Sequence, residues 1–426
     1  MKETFAGILI FLLISSLLTG CAKTPISDNI AEYTTSVEDI KMEEEVKIVG
    51  LGEATHGNSE LQSLKLEVFQ ALIENNNCRV FAIEGDFGGG ARVNDFIHGK
   101  ENPAPSDMIT TAEQAAGEIG FAIYRTKEMV ELIQWMKEYN KTAADSEKLS
   151  FYGFDMQRYD NNKEYLLTYL DKYEKKADVC VSDKYQELLA DLNDESVYSQ
   201  DKTKIKDGLA AVNELMELLS SEKEEYISRS SVKEFDFAYQ CAQSMKENAT
   251  LQTSKSSYAA LRDKYMKNKV DWILKQEEEQ MIFITGHNGH IMKTSNMPAV
   301  TVMGELLHDT YEDAYYAIGT DCLESTFRAV TSSGKDKEFN LKHKNALTAQ
   351  FKGVQENISY LDLTEAQKDS SLKELVNKSH SMMNIGNEFD NWKKVSSFFY
   401  TIKMTPAKAY DGLIILKKAK PSVRID

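Results

Sequence analysis

The sequence has few of the residues that mark linkers, disulfide scaffolds and nucleic-acid surfaces. Six prolines in 426 residues leave no room for a proline-rich linker. The five cysteines include no Cys-x-x-Cys pair, which excludes a cysteine-rich zinc site. Basic residues are outnumbered, since 50 Lys and Arg stand against 67 Asp and Glu, giving a net charge of −17. Because an acidic surface repels phosphate backbones, we expect no nucleic-acid partner.

Familiar nucleophile and nucleotide motifs are also missing. There is no Gly-x-Ser-x-Gly elbow, so a serine-hydrolase triad has no support. The three glycines at 88–90 lack the spacing and the lysine of a phosphate-binding loop. Hydrophobic residues make up 42% and charged residues 27%, as in an ordinary globular protein. We therefore expect acid–base chemistry that needs no cofactor.

The N-terminus has the features of an export signal. Lys2 precedes an apolar run, Phe5–Leu18, that is shorter than the roughly 20 residues a membrane-spanning helix needs. The run ends in Leu-Leu-Thr-Gly-Cys, which resembles the lipobox of bacterial lipoproteins, where the cysteine is lipidated. We expect a signal peptide at 1–20, lipidation of Cys21, a polar tether over 21–44, and an extracytoplasmic lipoprotein anchored in the membrane. A simple signal peptide or N-terminal anchor is the alternative.

Short apolar runs predict buried strands along the rest of the chain. They are Val46–Gly52, Arg79–Ile83, Leu149–Phe154, Met281–Gly286, Ala314–Gly319 and Tyr410–Leu416. A helix predicted near 59–76 joins the first two runs in a βαβ unit, so the fold class is α/β, with a mostly parallel central sheet flanked by helices. Residues 160–280 are charged and helix-forming, and we interpret them as a helical insertion over the cleft. This insertion divides an α/β core into 45–159 and 281–420.

Four predicted strands end in ionisable residues. These residues are Glu53 with His56, Glu84, Asp155, and His287 with His290. Ligands of open α/β sheets bind beyond the carboxyl ends of the strands, so these side chains are expected to share one cleft. There a histidine can take a proton while a carboxylate orients it. The same histidines could instead bind zinc, and a metal-dependent hydrolase stays open as an alternative.

Several motifs in the same order resemble the erythromycin esterase family over nearly all of residues 45–416. They are Gly52-Glu53-Ala54-Thr55-His56-Gly57, Ile83-Glu84-Gly85-Asp86, Gly153-Phe154-Asp155, Arg262-Asp263 and Gly286-His287-Asn288-Gly289-His290. The resemblance implies hydrolysis of a macrolide lactone or a similar small-molecule ester by histidine-activated water, without a metal or a covalent intermediate. A haem- or iron-binding lipoprotein of related fold is the alternative from another class.

The resemblance also implies roles for individual residues. By position the catalytic set is Glu53, His56, Glu84, His287 and His290. Lys65, Asp155 and Arg262 are the residues expected to bind substrate. Each of these three also has a plainer interpretation: a solvated helix lysine, a carboxylate that satisfies backbone amides at a turn, and a structural ion pair.

Overall fold

The computed structural model describes residues 30–100, 108–174, 180–198, 202–254, 258–295 and 300–425. The predicted signal segment and Cys21 lie outside these residues. Part of the predicted tether is packed against the domain, because Ile30, Val37 and Ile40 are buried. Within the described ranges no helix is both long and apolar enough to cross a membrane.

The described strands form one large sheet and one small sheet. In chain order they are β1 (Thr34–Thr35), β2 (Ile48–Glu53), β3 (Val80–Asp86), β4 (Ser150–Asp155), β5 (Ile282–His287), β6 (Tyr315–Val330), β7 (Asp336–Lys342), β8 (Ile358–Asp362), β9 (His380–Met383), β10 (Thr401–Met404) and β11 (Gly412–Ala419). The large sheet has the order β1-β8-β11-β6-β2-β5-β3-β4, with β7 beside β6, and β9 pairs with β10.

The large sheet is mostly parallel, as predicted. Strands β11, β6, β2, β5, β3 and β4 all run in one direction, whereas β1, β7 and β8 pair antiparallel. Every residue of β2, β3 and β5 is buried, which is why these strands are continuous apolar runs rather than alternating ones. The six strands predicted from sequence all exist, but β6 extends eleven residues beyond its predicted end at Gly319, to Val330.

Helices cover both faces of the sheet and fill the middle of the chain. In chain order the described α-helices are α1 (Ser59–Asn76), α2 (Phe87–Ile97), α3 (Ala112–Glu118), α4 (Lys127–Thr142), α5 (Asp160–Tyr173), α6 (Val181–Leu188), α7 (Thr203–Ser221), α8 (Lys223–Arg229), α9 (Val232–Thr253), α10 (Tyr258–Gln276), α11 (Asn288–Ile291), α12 (Met303–Tyr311), α13 (Leu363–Ala366), α14 (Ser370–Val376) and α15 (Pro406–Ala409). Helices α5 to α9 share a core of their own with Phe87. Helix α10 packs on the sheet instead, through Met266, Val270 and Ile273.

Two glycines allow the chain to approach closely beside the cleft. A Cβ on Gly52 would lie 2.3 Å from Asn288 Oδ1, and one on Gly57 would lie 1.8 Å from the carbonyl oxygen of Arg328. The first contact brings β2 against the turn that follows β5. The second places the turn after β2 under the long hairpin of β6 and β7. Both positions therefore need glycine for packing.

Candidate active site

The carboxyl ends of four neighbouring parallel strands bring the predicted residues together. Strands β2, β5, β3 and β4 are adjacent in that order. Glu53 and His287 are directly opposite each other in the register of β2 and β5. The rings of His56 and His287 have centroids 5.1 Å apart. The convergence expected from the strand ends is therefore present in the structure.

Glu53 organises the first half of the site. His56 Nδ1 lies 2.7 Å from Glu53 Oε1, and Lys65 Nζ donates to Glu53 Oε2 at 2.6 Å. Gln62 Nε2 donates to the same Oε2 at 3.0 Å. Burial alone would raise the pKa of Glu53, but Lys65 and His56 lower it to about 2, so this carboxylate stays ionised. No described residue forms a hydrogen bond with Nε2 of His56, so that nitrogen can accept a proton from a bound water.

Arg262 organises the second half. Its Nη2 donates to Glu84 Oε1 and to Asp155 Oδ2, both at 2.6 Å. Its Nη1 lies 3.0 Å from His290 Nε2. Burial tends to raise the pKa of Glu84, yet His290 and Arg262 hold it well below its usual range. A helix of the middle segment thus supplies a cation to two strand ends.

His290 is oriented by a second carboxylate. Its Nδ1 lies 2.7 Å from Asp263 Oδ1, which also accepts the backbone N–H of Met303 at 2.8 Å. Burial lowers the pKa of His290, but Glu84 and Asp263 outweigh it, so the pKa is raised. The two carboxylates therefore favour protonation of His290, whereas Arg262, which can only donate, opposes it at Nε2.

His287 is held in its neutral form. Its Nε2 is 3.2 Å from the carbonyl oxygen of Ile385, which can only accept, so Nε2 carries the proton. Nδ1 accepts weakly from the backbone N–H of Gly289 at 3.4 Å. Burial, with the nearby charge of His56, lowers the pKa of His287 to about 3. Its backbone N–H also donates to Glu84 Oε2 at 2.8 Å.

Two residues expected to bind substrate are buried completely. Lys65 and Asp155 have no exposed surface, and they contact Glu53 and Arg262 respectively. Asp155 also accepts the backbone N–H of Met156, as its plainer interpretation required. We infer that both residues position their neighbours rather than touch substrate. Arg262 keeps part of its side chain exposed and remains able to reach a ligand.

Sequence reasoning missed three contributors to the site. Asp263 belongs to the Arg262-Asp263 motif but has no predicted role, although a carboxylate next to Arg262 on a helix indicates one. Gln62 lies three residues before Lys65, so both occupy one face of α1. The carbonyl of Ile385 carries no sequence signal, because backbone contacts over 98 residues depend on the folded chain.

The donor geometry does not suit a metal at the strand ends. Among the described residues, the single set of three His, Cys, Asp or Glu whose ligand atoms lie within 4.8 Å of one another is Asp171, Glu174 and Cys180, at the end of α5 and the start of α6. At the strand ends, Arg262 places a positive charge between Glu84, Asp155 and His290. A cation there would face electrostatic repulsion.

The fold and the site define an α/β protein with an acid–base cleft at the carboxyl edge of its sheet. The family model described as erythromycin esterase matches residues 73–419. The chain therefore belongs to the erythromycin esterase family. Glu53, His56 and Lys65 lie before the matched range, so their assignment depends on the contacts described above.

Two curated relatives agree with this family. The chain is 25% identical over 303 residues to erythromycin esterase type II of Escherichia coli, covering 65% of this chain and 68% of that protein. It is 24% identical over 301 residues to YbfO of Bacillus subtilis (strain 168), a protein that is named as a hydrolase. That second match covers 64% of each protein, so the chain spans just under two thirds of YbfO.

Solved structures share the fold. A Bacillus cereus protein superposes with a TM-score of 0.75 at 23% identity, covering 90% of this chain and 91% of that one. An erythromycin esterase variant in its open conformation superposes with a TM-score of 0.66 at 16% identity, covering 90% and 93%. At these identities the similarity establishes the architecture alone.

Proposed function

We propose that this chain hydrolyses a carboxylic ester with a water activated by His56. The observation that carries the proposal is the pairing of His56 Nδ1 with an ionised, buried Glu53, which leaves Nε2 directed away from its partner. A carboxylate at Nδ1 fixes the tautomer and stabilises the imidazolium that forms when Nε2 takes a proton. Lys65 and Gln62 hold Glu53 in place for this role.

The second half of the cleft supplies positive charge. A water attacking an ester carbonyl develops negative charge on the carbonyl oxygen, which fixed cationic donors stabilise. Arg262, and His290 when it is protonated, are the groups of that type beside Glu84. In this mechanism His290 also protonates the leaving alkoxide. His287, neutral and bonded to Ile385, shapes the space between the two halves.

We propose a macrolide lactone as the substrate. The support is membership of the family and the name of the Escherichia coli relative. A lactone opens without releasing a fragment, so the product carries the mass of one added water. We also retain the proposal that Cys21 is lipidated and anchors the enzyme outside the cytoplasm.

The test uses the full chain in mild detergent with erythromycin and a chelator, followed by mass spectrometry. We expect a product heavier by one water, formed at an unchanged rate in the chelator. His98→Ala serves as the matched control for His56→Ala, because His98 is a half-buried histidine at the end of α2 that bonds Asn94. An intact lactone after incubation with the native chain would reject the macrolide proposal. Loss of activity in chelator would reject the metal-free mechanism.

A further inference from the structure

An exposed apolar surface lies on the chain between β9 and β10. We call residues 391–399 the aromatic patch. Its large apolar side chains are Trp392, Val395, Phe398 and Phe399, with exposed fractions of 58%, 82%, 81% and 42%. Scattered exposed apolar residues are normal, but four within eight positions form a contiguous surface of the kind that marks an interaction site.

The rings of the aromatic patch pack against one another, and the segment that carries them follows a buried aromatic residue. The ring of Trp392 is 4.9 Å from that of Phe399, and Phe398 is 5.5 Å from Phe399. Beneath them Phe389 is buried, with its ring 5.2 Å from Phe327 of β6 and 5.1 Å from Phe339 of β7. Along the chain, the exposed rings of the patch therefore follow directly after a buried aromatic cluster.

The charge around the aromatic patch is opposite to that of the whole chain. Residues 391–410 contain four lysines and no acidic residue, in a protein of net charge −17. Lys393 and Lys394 lie within the patch, and Lys403 and Lys408 follow it. Glu388 and Asp390 precede the patch, and Lys393 Nζ lies 3.6 Å from Glu388 Oε1, so the local excess of positive charge comes from the other three lysines. Aromatic side chains interleaved with lysines suit the boundary between headgroups and acyl chains, where rings insert and ammonium groups meet phosphates.

The segment that carries the patch also forms one wall of the candidate active site. Ile385 donates its N–H to the carbonyl of Ala54 at 2.8 Å and accepts from His287 Nε2 at 3.2 Å. The backbone N–H of Asn384 donates to the carbonyl of Tyr400 at 2.9 Å, so the end of the patch lies beside the segment that lines the cleft.

We propose that the aromatic patch docks onto a lipid bilayer that contains anionic headgroups. Lipid is favoured over a second copy of this chain because a copy would bring the same four lysines and the same acidic remainder. The proposal is independent of the ester hydrolysis above, since it concerns where the protein sits and not what it cleaves. The patch gives the protein a second contact with the membrane besides an N-terminal anchor. Two such contacts fix the orientation of the cleft.

The test follows tryptophan fluorescence of the full chain on vesicles whose acyl chains are brominated. The chain has three tryptophans, and Trp135 and Trp272 are half-buried elsewhere. On vesicles of phosphatidylcholine and phosphatidylglycerol we expect quenching of roughly one third of the emission, that of Trp392. Trp392→Phe should abolish this fraction. Val395→Asp with Phe398→Asp should reduce it several-fold, whereas Val232→Asp, which alters an exposed apolar residue of α9, should not.

Four outcomes would overturn the proposal. Protein that floats with the vesicles while Trp392 stays unquenched rejects docking and leaves the N-terminal anchor intact. Protein that stays in solution rejects both. Quenching that is equal on purely zwitterionic vesicles and insensitive to salt rejects the role of the lysines, because screening weakens such contacts beyond about 10 Å at 0.1 M salt. Sedimentation of the free chain as a dimer that Phe398→Asp dissociates would assign the patch to a second copy instead.

Discussion

Two histidine–carboxylate pairs face each other across the cleft, and they differ in charge. In the Glu53–His56 pair a buried lysine neutralises the carboxylate, and the histidine keeps one nitrogen directed away from its partner. In the Asp263–His290 pair a second carboxylate, Glu84, lies 3.5 Å from the other ring nitrogen. The distance from the histidine ring to its carboxylate is 2.7 Å in both pairs, but the surroundings of the two pairs differ.

The difference teaches which histidine suits which step. Glu84 and Asp263 raise the pKa of His290 despite its burial and the charge of Arg262, so His290 is the histidine better suited to donate a proton. His56 shares its carboxylate with Lys65, and it can accept a proton from water. The surroundings of each pair, rather than the pair itself, therefore separate the proposed acid from the proposed base.

Removing the proposed base gives the largest expected effect. His56→Ala should lower kcat for ester hydrolysis by about 10²- to 10⁴-fold, because no other group takes the proton from the attacking water. Its thermal midpoint should stay near that of the native chain, since the side chain lies at the cleft surface. Steady-state kinetics and calorimetry measure the two quantities. A variant with native turnover would remove His56 from the mechanism.

Removing the buried lysine of the first pair should cost both stability and activity. Lys65→Met leaves Glu53 buried with a weaker partner, which we expect to destabilise the protein by about 3–5 kcal/mol. The matched control is Lys269→Met, because Lys269 and Glu247 form an equally buried pair at 2.6 Å. Urea unfolding should show similar losses for both variants. Turnover below the unfolding transition should fall for Lys65→Met alone, and an equal fall in both would count against a local role for Lys65.

Replacing the proposed acid should change the pH profile. Because the pKa of His290 is raised above its ordinary 6.5, the native rate should fall as pH rises through that higher value. His290→Asn should lower the rate about 100-fold and remove this alkaline fall. Initial rates between pH 6 and 10 test it. An alkaline limb that persists in His290→Asn would assign that titration to another group.

The neutral histidine between the pairs should produce the smallest effect, visible in stability. His287 has a folded pKa of about 3 against an ordinary 6.5, so between these values the unfolded chain binds a proton that the folded chain does not. The contribution of His287 to stability should therefore fall as pH drops below 6.5, by about 1–2 kcal/mol on reaching pH 5. His287→Gln should flatten this slope, and His308→Gln, which lies outside the site, should keep it. Urea midpoints at several pH values are sufficient.

That pH window is separable from the other titrations of the site. Glu53 and Glu84 have folded pKa values below their ordinary 4.5, so their contribution is present above 4.5 and is lost as pH falls further. The raised pKa of His290 gives stability that is present below 6.5 and lost at higher pH. Between 4.5 and 6.5 His287 is therefore the group of this site that changes stability, while the lowered pKa of His98 and the raised pKa of Asp86 act in the same range elsewhere, so the contribution of His287 is the difference between the native chain and His287→Gln.

The sequence was sufficient for the parts of the site that follow buried parallel strands. Apolar runs ending in Glu53, Glu84, Asp155 and His287 located the strand ends, and parallel strands place such ends at one edge. Strands β1, β8, β9 and β10 were not predicted because they have only two to five residues, and β7 was not predicted because its residues are mostly exposed and alternate in burial at its end. Their pairing depends on partners far along the chain rather than on a local apolar run.

The roles of individual residues were harder to predict than their positions. Lys65 looked like a surface lysine or a substrate ligand because helix periodicity does not reveal a carboxylate beneath it. Arg262 looked equally consistent with an ion pair and with a ligand, and the structure shows it contacting Glu84, Asp155 and His290. The contacts with Glu84 and Asp155 join residues 178 and 107 positions apart, so no local pattern encodes them.

The reach of Arg262 has a consequence for the whole molecule. One guanidinium joins helix α10 to the ends of β3 and β4, so any movement of that helix away from the sheet takes the cation away from two buried carboxylates. Apolar surfaces can shift against each other at a small cost in free energy, whereas these ion pairs require one position of the helix. The outer faces of the middle helices can therefore vary in sequence, and the shape of the cleft for a substrate can vary with them. Arg262 and Asp263, which are adjacent on α10, keep the groups of the site aligned.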